Sequence, residues 1–464
     1  MKTRIIYSLL TSKLTLFMFS GCGNHINTIM ASPLESKSNE ISSSFESKTP
    51  VSPSIGRQFI GNEHIFGLYE NTMPTVGTPG IVVFVVDFPD DDTDAMNYSV
   101  SDIERFFFDL SRINEPVEFN LPVGKEMWSV DFFSMRDYFY RSSYGKLDIT
   151  GTVIHYVTKN LKSAYTQWNY LIDEVLENVG HVDALNWRDY DTSGTGFADG
   201  VFVVIRNFSN IPGNVAGMAI DQTHHYNVHE RDGIIISAVA GVQGLGYTSF
   251  IHVLAHEAVH LMGISDIYTN TAMNPGGSGA TSVMDGQHHE IGDLPGIFKY
   301  VFGWIAPKHI YNIGETQVTL APISDYPEFV IIHPNGDRDN LNWFVVEYIT
   351  STNNNFHIEV EPEGGLRIWR VSMNPYFFDD HVSFFQPFDF IEAAHPSGGD
   401  WDYFFYPGDS FSPHTELNSN YPRSFHTDWY NVRTMQNLAD SGIYLENIVV
   451  KNGLVSFTIT IRVD

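Results

Sequence analysis

Residues 252–268 read H-V-L-A-H-E-A-V-H-L-M-G-I-S-D-I-Y, and the fold of the chain turns on this stretch. Its apolar positions, with Ile251 just before, include Leu254, Ala255, Ala258, Val259, Leu261 and Met262, which predicts a helix buried over most of its surface. Within it His256, Glu257 and His260 form an H-E-x-x-H pattern. Side chains four apart on a helix stand one above the other, so the two histidines share a face. Two neutral imidazoles at that spacing can both reach one zinc ion at about 2.0–2.1 Å. Glu257 projects roughly a quarter-turn round the helix from His256. That takes it off the metal and lets it hydrogen-bond a water held there, as a general base must.

Gly263 follows His260 by three residues and can take the left-handed conformation that ends a helix. The reversed chain can then return Asp266 as a carboxylate ligand. Zinc on His256, His260 and Asp266 keeps a fourth position open for water, the arrangement of a catalytic rather than a structural site. The competing reading is an amphipathic core helix with histidines on its wet side. Gly263 and Asp266, at their spacing from the H-E-x-x-H run, favour the metal.

The pattern H-E-x-x-H-x-x-G-x-x-D over residues 256–266 resembles the immune inhibitor A family of secreted bacterial zinc peptidases, a metzincin-like branch of the zincins. The likeness extends through residues 81–89 (I-V-V-F-V-V-D-F-P), 134–147 (S-M-R-D-Y-F-Y-R-S-S-Y-G-K-L) and 189–204 (D-Y-D-T-S-G-T-G-F-A-D-G-V-F-V-V). It continues through 282–286 (S-V-M-D-G), 302–307 (F-G-W-I-A-P), 343–347 and 364–371, so that it covers most of the chain from about residue 75. The resemblance implies an α+β zincin-like catalytic domain and a zinc-dependent endopeptidase acting on proteins or peptides. It also makes Met284 the candidate for the methionine turn that floors the metal in such enzymes. Two positions depart from it. Val259 stands where the family commonly has Gly, and Gly286 follows Asp285, leaving no Tyr just after the methionine turn.

The chain's 464 residues carry 26 Lys and Arg against 55 Asp and Glu, a formal net charge of −29. Nucleic acid and anionic lipid surfaces would be repelled by that excess. A single cysteine, Cys22, excludes an intramolecular disulfide framework. Lys2 and Arg4, the apolar residues 14–19 and the small pair Ser20–Gly21 precede it, which reads as a signal peptide over residues 1–22. F-S-G-C resembles the lipobox of bacterial lipoproteins, and in that class Cys22 becomes the lipid-modified terminus. The expectation is an extracytoplasmic protein, tied to a membrane by lipid. An ordinary cleaved signal is the alternative. Residues 23–60, rich in Ser, Asn, Glu and Pro, have no apolar period and read as a disordered tether or short propeptide.

Residues 61–308 form the expected catalytic domain. Residues 81–86 and 201–205 are apolar β-branched runs suited to buried strands, and 101–112 and 163–180 have helical periodicity. Between them Asp189, Asp191, Ser193, Thr195 and Asp199 place oxygens at alternate positions around Gly194, a pattern resembling a calcium loop without the bidentate acid of its twelfth position. An Asx-turn gives the same spacing.

From residue 309 to 464 the texture changes to short, alternating, β-branched and aromatic runs at 316–320, 329–333, 343–349, 366–371 and 455–461, separated by Pro, Gly, Asn and Asp. They predict an all-β, sandwich-like C-terminal domain. A rival to the peptidase is a surface lipoprotein that binds a protein or glycan through this sheet, its zinc site non-catalytic. Glu257 counts against the rival, because a structural site has no use for a base.

Overall fold

A computed structural model describes residues 73–91, 98–110, 117–121, 124–128, 134–179, 185–206, 217–221, 229–243, 247–264, 282–284, 292–340, 342–355, 358, 360–372, 388–391, 404–412, 421–422 and 438–463. Cys22, the signal-like segment and the tether lie outside them. No helix among the described residues is long and apolar enough to cross a membrane.

The run G-I-V-V-F-V-V-D forms strand β1 (Gly80–Asp87), buried along its whole length. It lies inside a five-stranded sheet with β2 (Thr150–Val157), β3 (Gly200–Ile205), β4 (Gly217–Asp221) and β5 (Ala238–Gln243), in the order β2-β1-β3-β5-β4. β1 pairs in parallel with β2 and β3, β3 pairs in parallel with β5, and β4 closes the edge antiparallel. Alternate side chains of a strand point to opposite faces. Ile81, Val83 and Val85 enter one core cluster, and Val82, Phe84 and Val86 enter another. Covering both faces with helices explains why β1 has no polar alternation.

Helices α1 (Val100–Phe108), α2 (Met135–Ser142) and, C-terminal to α3 (Trp168–Val179), α4 (Tyr247–Leu261) all contribute to the first cluster. Ser99 and Asp102 close a capping box on α1, and Ser134 caps α2 by accepting from Asp137 N. α3 covers the other face through Trp168, Leu171, Ile172, Val175 and Leu176. Its Trp168 ring lies so close to Gly241 of β5 that a Cβ there would sit 2.4 Å from it.

The C-terminal part is built on two sheets. One orders β6 (Lys308–Ile310), β8 (Val330–Ile332), β9 (Asn342–Ile349), β10 (Gly365–Ser372) and β11 (Phe388–Ile391), and comes after a short helix α5 (Gly296–Val301). The other orders β7 (Gly314–Leu320), β13 (Leu454–Ile461) and β12 (Ile443–Lys451), all antiparallel. Both contribute to a third cluster through Phe344, Val346 and Ile368 on one side and Val318, Leu445 and Phe457 on the other.

One feature differs from a simple half-exposed strand pattern. β9 is buried along its whole length. Trp343, Val345 and Ile349 join the cluster that holds α4, so the core runs without a break across residue 308. Polar ties accompany this packing. Glu347 accepts from Arg367 Nε at 2.7 Å, from Gly296 N at 2.8 Å and from Trp369 Nε1. Lys299 donates to Asp293 at 2.5 Å, and Asp293 N donates to Asn355 Oδ1 at 2.8 Å.

Candidate metal centre

Helix α4 is seated by Leu254, Ala255, Ala258, Val259, Leu261 and Met262, all buried in the first core cluster. Val259, where the resembled family commonly has Gly, is part of that core. The helix ends as the sequence requires. Gly263 has φ +94°, the left-handed conformation, with Gly263 N donating to His260 O at 2.8 Å and Ile264 N to Val259 O at 3.2 Å. This turn faces the carbonyl of Ile264 towards the imidazole of His260, which donates through Nδ1 at 2.7 Å. His256 donates through its own Nδ1 to the carbonyl of Val283 at 2.8 Å.

These two bonds fix the chemistry of the pair. A carbonyl oxygen can only accept, so each Nδ1 carries a proton, and in the neutral form of each ring the lone pair is on Nε2. The two Nε2 atoms lie 3.1 Å apart. Two lone pairs at that distance repel, and either a shared proton or a metal ion relieves the repulsion. Nitrogens at about 2.0–2.1 Å from a tetrahedral zinc are separated by about 3.3 Å, so the spacing suits two ligands of one ion. Anchoring the second ring nitrogen on a carbonyl is the usual support for a histidine ligand. By the chemistry of their donors, His256 and His260 fit a zinc ion.

A second histidine pair shows the contrast. His309 Nδ1 and His333 Nε2 are 3.0 Å apart, and the His333 ring also lies against the backbone of Asp337. One ring nitrogen of this pair donates to the other, and the two rings are not both anchored on carbonyls as those of His256 and His260 are. That pair is an ordinary hydrogen bond. Burial, helped by the charge of His309, pushes the His333 imidazole down to about 4.

Glu257 is buried beside His256, at 5 % exposure. Asp266 lies outside the described residues, and among those residues no group of three His, Cys, Asp or Glu side chains gathers as a metal site. Met284 is fully buried in the cluster that seats α4, next in sequence to the carbonyl that holds His256. His252 extends the histidine spacing to H-x-x-x-H-x-x-x-H over residues 252–260. It is 1 % exposed, and its ring lies near-parallel to that of His256, 17° apart with centroids 6.1 Å away.

The loop over residues 189–199 closes largely on its own groups. Asp191 accepts from Thr195 N at 2.8 Å and Gly196 N at 2.9 Å, as in an Asx-turn. Asp199 accepts from Gly80 N at 2.8 Å and the Thr192 hydroxyl at 2.7 Å. Burial pushes the Asp199 carboxyl up to about 6, against the lowering effect of those donors. Asp189 accepts from Asn186 Nδ2 at 3.0 Å, and the hydroxyls of Ser193 and Thr195 are 3.2 Å apart.

No family model matches the chain, and no curated protein matches it either.

Proposed function

We propose that the chain is a zinc-dependent endopeptidase that hydrolyses proteins or peptides outside the cell. The observation that carries this reading is the convergence of two Nε2 atoms 3.1 Å apart, each ring held by a carbonyl on its Nδ1. Glu257, next to the first of these ligands, supplies what a structural site lacks, and the likeness to immune inhibitor A peptidases over residues 256–266 agrees with it.

His256, His260 and Asp266 would hold the ion. Zinc held there would supply Lewis acidity and lower the pKa of an attacking water. Glu257 takes the proton of the attacking water and passes it to the leaving amine of the scissile bond. A carboxylate buried beside the reacting atoms keeps that proton from exchanging with bulk water. Val283 and Ile264 hold the two imidazoles in one tautomer throughout.

The test is hydrolysis of casein by the purified soluble chain, with and without a chelator. Chelator-sensitive cleavage restored by zinc is the expected result. A chain that binds zinc but leaves casein and a broad peptide library intact would turn the reading towards a binding protein.

A further inference from the structure

Residues 73–77 tie together three parts of the chain that are far apart in sequence. Met73 N donates to the carbonyl of Leu261 at 2.7 Å. The Thr75 hydroxyl donates to Phe302 O at 3.1 Å, and Thr75 O accepts from Trp304 Nε1 at 2.6 Å. Gly77 N donates to Lys146 O at 2.8 Å, while Asp148 N returns a bond to Gly77 O at 2.9 Å. Lys146 Nζ closes the ring by reaching Trp304 O at 2.6 Å. The strap therefore meets the end of α4, the F-G-W turn and the Y-G-K-L turn at once. Met73 is itself fully buried in the core that seats α4.

The contact with Leu261 bears on the metal pair. The last carbonyls of a helix have no partner within it and must find one elsewhere. Leu261 directly follows His260, and the Ile264 carbonyl that fixes the His260 tautomer is three residues further on. One four-residue turn thus accepts a bond from the strap at its start and supports the ligand at its end. The rest of the turn is fixed by Gly263 and by the Ile264–Val259 bond.

We propose that the Met73 backbone N–H is a positioning group for the metal site: by holding Leu261 it sets the turn that aims Nε2 of His260 at the ion. This rests on the zinc reading above. It gives the segment joining the tether to the catalytic body a role in metal affinity, beyond connecting the two.

The test measures zinc affinity of the full-length soluble chain by competition with a chromophoric chelator, together with the visible spectrum of the cobalt-substituted protein. Met73→Pro removes the N–H donor; Met73→Leu keeps it at nearly the same side-chain volume. Met73→Pro is expected to weaken zinc binding about tenfold, the low end of losses seen when support of a ligand is removed, and to alter the cobalt spectrum. Met73→Leu is expected to match wild type in both. Should Met73→Pro not fold, Thr75→Val decides, since it loosens the same strap at its Phe302 bond; a severalfold weaker affinity is expected. A strap with a merely structural role would lower melting temperature and leave zinc affinity and cobalt spectrum unchanged in the variants, which would overturn the proposal. Wild type that takes up no zinc would instead fail the zinc reading itself.

Discussion

Glu347 and Arg367 face each other across β9 and β10 at 2.7 Å, and neither side chain reaches solvent. The same carboxylate holds Gly296 N at the start of α5, so the pair joins the C-terminal sheet to the segment before it. Breaking a buried pair leaves an uncompensated charge at a cost of about 3–5 kcal/mol. Arg367→Met is expected to destabilise the chain by that order in urea unfolding. Glu347→Gln combined with Arg367→Met should recover part of the loss. Because the core crosses residue 308, the unfolding should remain one transition; two separated transitions in calorimetry would refute the shared core.

Acid should act on two buried groups in opposite directions. His333 titrates near 4 when folded against 6.5 unfolded, so the unfolded chain binds more protons between those values. Its contribution to stability is intact above about 6.5 and is lost as pH falls towards 4. Asp199 is raised from 3.8 to about 6, so its contribution is present below 3.8 and is lost as pH rises through 6. In melting curves from pH 4 to 7, His333→Gln should lessen the acid-side loss, and Asp199→Asn should deepen it. Parallel curves for wild type and both variants would contradict these assignments.

Much of this fold was legible in the residues. The apolar run at 81–86 reads as a buried strand and is one, and Leu254, Ala255, Ala258 and Val259 read as a buried helix face and are one. Gly263 stood where a left-handed turn was needed and has it. Other features left no trace in composition. The partners that fix the two imidazoles are backbone carbonyls, and any residue supplies one, so neither Val283 nor Ile264 could be picked out. The Met73 strap works through its N–H and escapes for the same reason. Residues 343–349 read as one strand of a sandwich, whereas β9 lies between two cores; alternation vanishes when both faces are covered.

The Asp191 carboxylate holds two backbone N–H groups of its loop. Hydrogen bonds to a charged group contribute about 1.5–3 kcal/mol each, less where exposed as here. Asp191→Ala should therefore lower the melting temperature by several degrees, and Asp191→Asn by less. If the loop's oxygens also take calcium weakly, millimolar calcium should raise the melting temperature of wild type and not of Asp191→Ala. An identical calcium response in both would remove this loop from any calcium site.

The membrane tie expected from F-S-G-C can be checked by fractionation. Wild type expressed in a bacterium with lipoprotein processing should sediment with membranes, and Cys22→Ser should be released or left unprocessed. Acyl chains contribute about 0.8 kcal/mol per buried CH₂, and two or more make anchoring stable. Wild type found wholly in the medium, cut elsewhere than before Cys22, would refute the anchor.

The separation of base from ligand is the sharpest test of the proposed peptidase activity. In Glu257→Ala, zinc by mass spectrometry should stay near one per chain, because the role proposed for Glu257 is on the water and not on the ion. Casein hydrolysis should fall by about 10²–10⁴-fold, the usual weight of a general base. His256→Ala, His260→Ala and Asp266→Ala should lose zinc and activity together. Full zinc content with activity abolished in Glu257→Ala is the predicted result; full activity in that variant would contradict the account.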